Sequence, residues 1–369
     1  MTLEILWRLP TQGDGRAIDS EHWQRGDYSR TRREPHPFAR TGAPRDGYNY
    51  YDLLLQIARG AELNGFDGLW IPDSAGGEDP LIVAGSLARE ARNLRFVTSL
   101  RAPLLSAVYA TKIANSFQRL SGNRLAWHLN TRADHESQPW HGRKFSESEY
   151  VARSAEFLDV AKGFWNAAPF SYAGKYYEVE NGGFAPALQG QTLPRVYLSG
   201  TSEEALALSA RHADVHVFPL ASVHEIRALS QRLQQLASEH GRRVAVGIDG
   251  NVLARHSSEE AWAEAERAWE GRNAKTIAIA EGVTGIPTSF AQTKVGKPLW
   301  SGFGALQSGA TNGLVGSFSE VATAIDDYLA LGVRSLVLGA NPYIEEAYRL
   351  GEHLVPVIHR RHAATKLAG

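Results

Sequence analysis

One pattern constrains this chain more than any other: short apolar segments of strand length recur along it, each followed by an amphipathic stretch of helix length. The strand segments are 3–9, 65–71, 94–100, 125–129, 195–198, 215–218, 244–248 with an extension toward 253, and 335–338. Helical periodicity fills 50–64, 78–92, 106–120, 148–166, 202–212, 223–239, 319–331 and 341–355. Eight strands alternating with helices predict a closed (β/α)₈ TIM barrel of the α/β class. Two Rossmann-like halves would repeat the same units and stay open as the competitor.

The 369 residues exceed the roughly 250 of a bare barrel. The excess falls into four irregular insertions in one domain, at about 13–47, 132–147, 168–190 and 258–312. Within the third, Phe170 to Val179 alternates across a glycine-containing turn and predicts a hairpin. The fourth opens with a charged helix to about 271 and then scatters glycines through polar sequence, the composition of a mobile lid or of an inert loop.

Lys plus Arg at 39 against Asp plus Glu at 40 gives a net charge of -1, without the basic excess that drives binding to a phosphate backbone, so no nucleic-acid partner is expected. The chain has no cysteine, which removes disulfides, thiolate metal sites and cysteine nucleophiles. No segment approaches the roughly 20 apolar residues of a membrane span, and Met1 to Pro10 lacks the pattern of a secretion signal. The expected location is cytoplasmic, and Arg25-Gly26-Asp27 is read as a coincidental match to an adhesion tripeptide. No metal is expected, since His135 and His141 lack an evident third ligand and no zinc or Walker motif occurs.

The order and spacing of several short motifs across the strand-helix units carry a family resemblance. They are Leu9-Pro10-Thr11 with Gly13-Asp14-Gly15, Glu78-Asp79, Leu100-Arg101, Ser154-Ala155-Glu156-Phe157, Ser199-Gly200-Thr201-Ser202, Gly313 to Gly316, and Glu345-Glu346-Ala347-Tyr348-Arg349 before Gly351-Glu352. Over nearly its whole length the chain resembles the bacterial luciferase-like flavin monooxygenases, most closely the alkanesulfonate monooxygenases. The resemblance implies a (β/α)₈ barrel, a homodimer or homotetramer, and reduced FMN delivered by a separate NAD(P)H:FMN reductase and reacted with O₂.

Ser199 to Ser202 end a strand in a glycine turn and open a helix, whose N-terminal amides and partial positive charge suit a phosphate, with an ordinary N-cap as the plainer alternative. The resemblance assigns Ser199, Gly200, Thr201 and Ser202 to the flavin phosphate. It also brings Ser99, Asn130, Thr131 and Tyr150 toward the cofactor, the tyrosine lying one residue from the family position. Because side chains alternate along a strand, at most one parity of His128, Leu129 and Asn130 points into the barrel.

The same resemblance marks departures at the candidate catalytic positions. A family cysteine before Glu-Asp is matched by Gly77, an arginine and a histidine on strand seven by Asp249 and Asn251, a lid arginine by Gln307, and a tyrosine before the last helix by Asn341. Neither Asn nor Gln neutralises an anion, and Asp249 would repel one if it faced it. Arg101, or an arginine of the first insertion (Arg25, Arg30, Arg32, Arg33, Arg40 or Arg45), is the remaining source of an anion clamp. The expected activity is oxygenation of a small organic substrate, either a functionalised organosulfonate cleaved to sulfite or a non-sulfonate. A deazaflavin-dependent oxidoreductase and a non-catalytic flavin-binding protein are the competing readings. For His22, His36, His128, His135, His141 and His216, packing or surface exposure is expected rather than catalysis.

Overall fold

A computed structural model describes residues 2–11, 50–131, 140, 142, 144–271, 289–306 and 311–368. Its elements in chain order are β1 (Glu4–Arg8), α1 (Tyr50–Leu63), β2 (Gly68–Ile71), α2 (Pro80–Leu87), β3 (Arg95–Leu100), α3 (Ala107–Ser121), β4 (Leu125–Asn130) and α4 (Glu147–Asn166). A hairpin follows, β5 (Phe170–Ala173) and β6 (Glu178–Gly182), then β7 (Arg195–Ser199), α5 (Glu203–His212), β8 (Val215–Pro219), α6 (Val223–Glu239), β9 (Ala245–Arg255) and α7 (Ser258–Glu270). The chain continues with β10 (Lys294–Gly296), β11 (Leu299–Trp300), β12 (Gly313–Ser317), α8 (Phe318–Ala330), β13 (Val333–Gly339), α9 (Tyr343–His353) and α10 (Val355–Ala368).

Eight parallel strands close on themselves in the order β1, β2, β3, β4, β7, β8, β9, β13, with β13 pairing back onto β1. These are the eight strands the apolar pattern predicts, so the closed barrel stands and the two-halved alternative falls. Alternation sorts their side chains into two cores. Leu6, Trp70, Val97, Ala126, Tyr197, Val215, Val217 and Val337 fill the barrel. Ile5, Leu69, Phe96, Trp127, Leu198 and Ile248 point out against the helices.

The helices start where their sequence says they should. Ser106, Ser146, Ser202, Ser222, Ser257 and Ser317 each accept a backbone N–H of the first turn. Gly122, in the left-handed conformation at φ 73°, ends α3.

At the N-terminal end of the barrel Glu4 is buried between Arg95, Arg195 and the Tyr197 hydroxyl, which plugs the interior. A surface concavity of 2400 Å³ opens below this plug. In barrels of this kind the chemistry sits at the opposite end, where the strands finish in βα loops.

Two features lie beyond the alternating pattern. β9 continues to Arg255, and its second half pairs with β12, which carries the antiparallel β11 and β10. Around them Leu253, Ala265, Trp269, Trp300, Phe303 and Val315 form a separate small core, so both described flanks of the fourth insertion are packed. The lid expectation is left with 272–288 and 307–310, outside the described residues, as are the whole of 13–47 and most of 132–143. The tail beyond residue 355, for which the periodicity predicts nothing, is the helix α10.

Candidate active site

Inward parity brings Arg8, Ser99, His128, Asn130, Ser199, Asp249, Asn251 and Gly339 to the C-terminal mouth of the barrel. Arg8 is the residue that motif reading misses. It closes β1 with its side chain 7% exposed, donates to the Asn251 Oδ1 at 2.8 Å and forms an ion pair with Asp249. Gly339 on the neighbouring strand β13 is what admits it: a Cβ there would lie 2.3 Å from the Arg8 Nη1 and 2.9 Å from the Asn251 Oδ1. Asp249 thus lies on the inward side of β9 with Arg8 of β1 as its counter-ion.

Even-numbered residues of β4 face inward, so His128 and Asn130 point into the barrel and Leu129 packs outside. His128 is buried beside Trp70, ring centroids 4.4 Å apart. Its Nδ1 is 2.8 Å from the Ser99 hydroxyl and its Nε2 2.9 Å from the Ser199 hydroxyl. Burial, reinforced by His216, pushes its pKa down to about 3, so the ring is neutral near pH 7. One nitrogen then donates and the other accepts, linking three adjacent strands in one hydrogen-bonded row. Asn130 stands beyond this row at the exposed end of β4.

The loop from β7 to α5 has the geometry its sequence suggests. Gly200 adopts φ +128°, and a Cβ on it would meet the Thr131 Oγ1 at 2.5 Å and the Ala205 Cβ at 2.9 Å, so this turn requires glycine. Thr131 is buried and donates to the Ser199 carbonyl. Ser202 caps α5 by accepting from the Ala205 N–H at 3.3 Å, and Thr201 and Ser202 remain exposed. His216, on the outer face of β8, holds the Gly200 carbonyl through Nε2 at 2.8 Å and meets the Ser209 hydroxyl through Nδ1 at 2.7 Å. Glu203, in the first turn of α5, is held by Arg232 of α6.

Other predicted residues are spread around this mouth. Arg101 forms an ion pair with Asp73 after β2. Gly77 lies against the Thr11 carbonyl, 2.4 Å from where its Cβ would be, so this backbone leaves no room for a side chain there. Tyr150 sits on α4, packed with Phe145 and Leu104, rather than in the inward-facing row. Asn341 is exposed after β13, and Tyr343, two residues on, is near enough to feel the charge of Arg8. Gln307, His135, His141 and the six arginines of the first insertion lie outside the described residues. No cluster of three metal-ligating side chains occurs among the described residues, and no helix among them is long and apolar enough to cross a membrane.

Three of the motifs turn out to be structural. Asp79 caps α2 by accepting from the Leu81 and Ile82 N–H groups. Glu156 accepts the N–H groups of Lys175, Tyr176 and Tyr177, tying the hairpin turn to α4. Glu346 is buried between Arg255 and Arg349, which binds α9 to the end of β9.

Comparison with known proteins agrees with this architecture. The profile of the luciferase-like monooxygenases matches residues 34–335. Among solved structures, EDTA monooxygenase from Chelativorans sp. BNC1 superposes with a TM-score of 0.72 at 16% identity, covering 98% of this chain and 94% of that one. Long-chain alkane monooxygenase gives 0.73 at 16% identity, covering 98% and 92%. An F420-dependent secondary alcohol dehydrogenase gives 0.67 at 13% identity, covering 97% and 99%. At such identities these structures show a shared fold, and none of the findings singles out the alkanesulfonate monooxygenases. With most of its length matched by that profile, the chain belongs to the luciferase-like monooxygenase family.

Proposed function

We propose that the protein is the oxygenase component of a two-component system, taking reduced FMN from a separate NAD(P)H-dependent reductase and using O₂ to oxygenate a small organic molecule. The observation that carries this is the β7–α5 loop. Gly200 is confined by Thr131 and Ala205 while His216 fixes its carbonyl, so the following amides of α5 are presented at the mouth in a preset geometry. A phosphate suits that geometry, with the hydroxyls of Ser199, Thr201 and Ser202 as further donors and the helix dipole behind them. Arg232 pairs with Glu203, one of the two acids in the first turn of α5, and offsets its charge.

Reduced flavin, when bound, supplies the electrons with which dioxygen oxidises the substrate. The chain's own work is to bind and to exclude water. Trp70 and Val217 wall the interior below the mouth, and Ser99 and Asn130 are the polar groups at hand to orient the ring. Neutral His128 orients Ser99 and Ser199 without adding charge.

Anaerobic titration tests the reading. Reduced FMN should bind saturably and riboflavin, lacking the phosphate, about tenfold or more weakly. Thr201→Asp, at an exposed position the fold does not need, should abolish that difference by placing like charge at the phosphate. Absence of saturable FMN binding by the unaltered chain overturns the proposal, and preference for a deazaflavin would redirect it to hydride transfer.

A further inference from the structure

The charge balance at the mouth carries one step more, resting on the reading above that this mouth holds the substrate. Arg8 is almost fully covered, and its guanidinium is spent on two residues of β9, Asp249 and Asn251. Its partner is not covered to the same degree: the Asp249 side chain is 27% exposed against 7% for Arg8. One carboxylate oxygen takes the ion pair with Arg8, and a carboxylate exposed to this degree keeps acceptor capacity for a ligand. The second arginine that the strand ends bring here, Arg101, is likewise paired with a carboxylate, that of Asp73. The strand ends among the described residues thus offer incoming molecules a hydrogen-bond acceptor, with the cations behind it.

We propose that the Arg8–Asp249 pair is the specificity element of the site and that the substrate is an uncharged or cationic organic molecule whose N–H or O–H group donates to Asp249, an amine or an alcohol rather than an anion. Arg8 acts as a positioning residue, fixing the carboxylate through one oxygen while it keeps acceptor capacity for the ligand. Gly339 keeps the channel for Arg8 open. An anion at this point would meet the carboxylate first and could reach Arg8 only by displacing it.

The test reads probe binding directly, without flavin, by calorimetry on the full chain with cyclohexylamine, cyclohexanol and butanesulfonate. The unaltered protein should favour the amine over the sulfonate by at least about tenfold, with the alcohol between. Asp249→Asn uncovers Arg8 and should reverse the order, weakening the amine and strengthening the sulfonate, each about tenfold. The doubly neutral variant Arg8→Gln with Asp249→Asn carries no buried unpaired charge. It should lose the amine preference without gaining sulfonate affinity, which keeps the test decisive should Asp249→Asn alone fail to fold. Equal binding of the three probes, no binding of any at millimolar concentration, or a sulfonate preference in the unaltered protein overturns the proposal. Flavin titration run in parallel separates this outcome from failure of the cofactor reading, since probe binding is measured in its absence.

Discussion

Two histidines at the mouth end of the barrel are built into its wall as neutral rings, and each is worth a measurable amount of acid sensitivity. Burial pushes His128 down to about 3 and His216 down to about 4, against an ordinary value near 6.5. Above that ordinary value both rings are neutral, folded or unfolded, and neither makes stability depend on pH. Below it, the unfolded imidazole takes a proton that the folded one refuses. Stability therefore falls as pH drops from about 6.5 toward 4, by up to about 1.4 kcal/mol per pH unit for each ring. Urea denaturation between about pH 7 and pH 5 should show this slope, and His128→Gln should remove the share of one ring; an unchanged slope would mean that the ring is not held neutral. At Gly200 the expectation is geometric. Gly200→Ala puts a methyl group 2.5 Å from the Thr131 hydroxyl at φ +128°, so it should weaken FMN binding more than riboflavin binding while costing about 1–3 kcal/mol of stability.

At the scale of elements, one acidic side chain ties the hairpin turn to α4 and another ties α9 to the end of β9. Glu156 accepts three consecutive N–H groups at the turn between β5 and β6. Glu156→Ala should leave the barrel folded and speed amide exchange at Lys175 to Tyr177, at a cost of roughly 1–3 kcal/mol. Uniform protection across that turn in the variant would show that the carboxylate is not what holds it. Glu346 is 1% exposed and faces Arg255 at 3.0 Å. Glu346→Ala should destabilise the chain by about 3 kcal/mol, since Arg255 is left buried with Glu264 as its remaining carboxylate partner among the described contacts. Denaturant midpoints check it, and a change below about 1 kcal/mol would assign the pair to the surface class. Both acids stand in motifs that carry the family resemblance, yet their visible task is to fasten α4 to the hairpin and α9 to β9.

For the whole molecule, ligand linkage gives the broadest check. A flavin that binds the folded barrel alone should stabilise it by about 2.7 kcal/mol at a concentration a hundredfold above its dissociation constant. Anaerobic melting with reduced FMN should show that shift, and riboflavin at the same concentration a smaller one. The extension built from β9 through β12 to β10 has its own apolar core around Trp269 and Trp300. Its attachment through β9 ties it mechanically to Asp249 and Asn251, which sit on the stretch of that strand shared with the barrel.

The chain order by itself determined the eight strands and the helices between them, because period-two and period-3.6 apolar patterns are local, whereas the choice between a closed barrel and two open halves was made by the pairing of β13 with β1. Serine caps and the glycine at 200 were legible for the same reason, since a cap or a positive-φ turn is a property of a few consecutive residues. The counter-ion of Asp249 was not. Arg8 and Asp249 are 241 residues apart, and their meeting depends on the closure of β13 onto β1 and β9, on the side of the strand each faces, and on the missing side chain at Gly339. His128 was in the same position: its strand was readable, but the choice between packing and bonding required Ser99 in register on β3 and Ser199, two residues beyond the register partner Tyr197, on β7. Pattern repeats within a window of residues, whereas charge compensation is settled by distance in space, and only the closed tertiary structure supplies that distance.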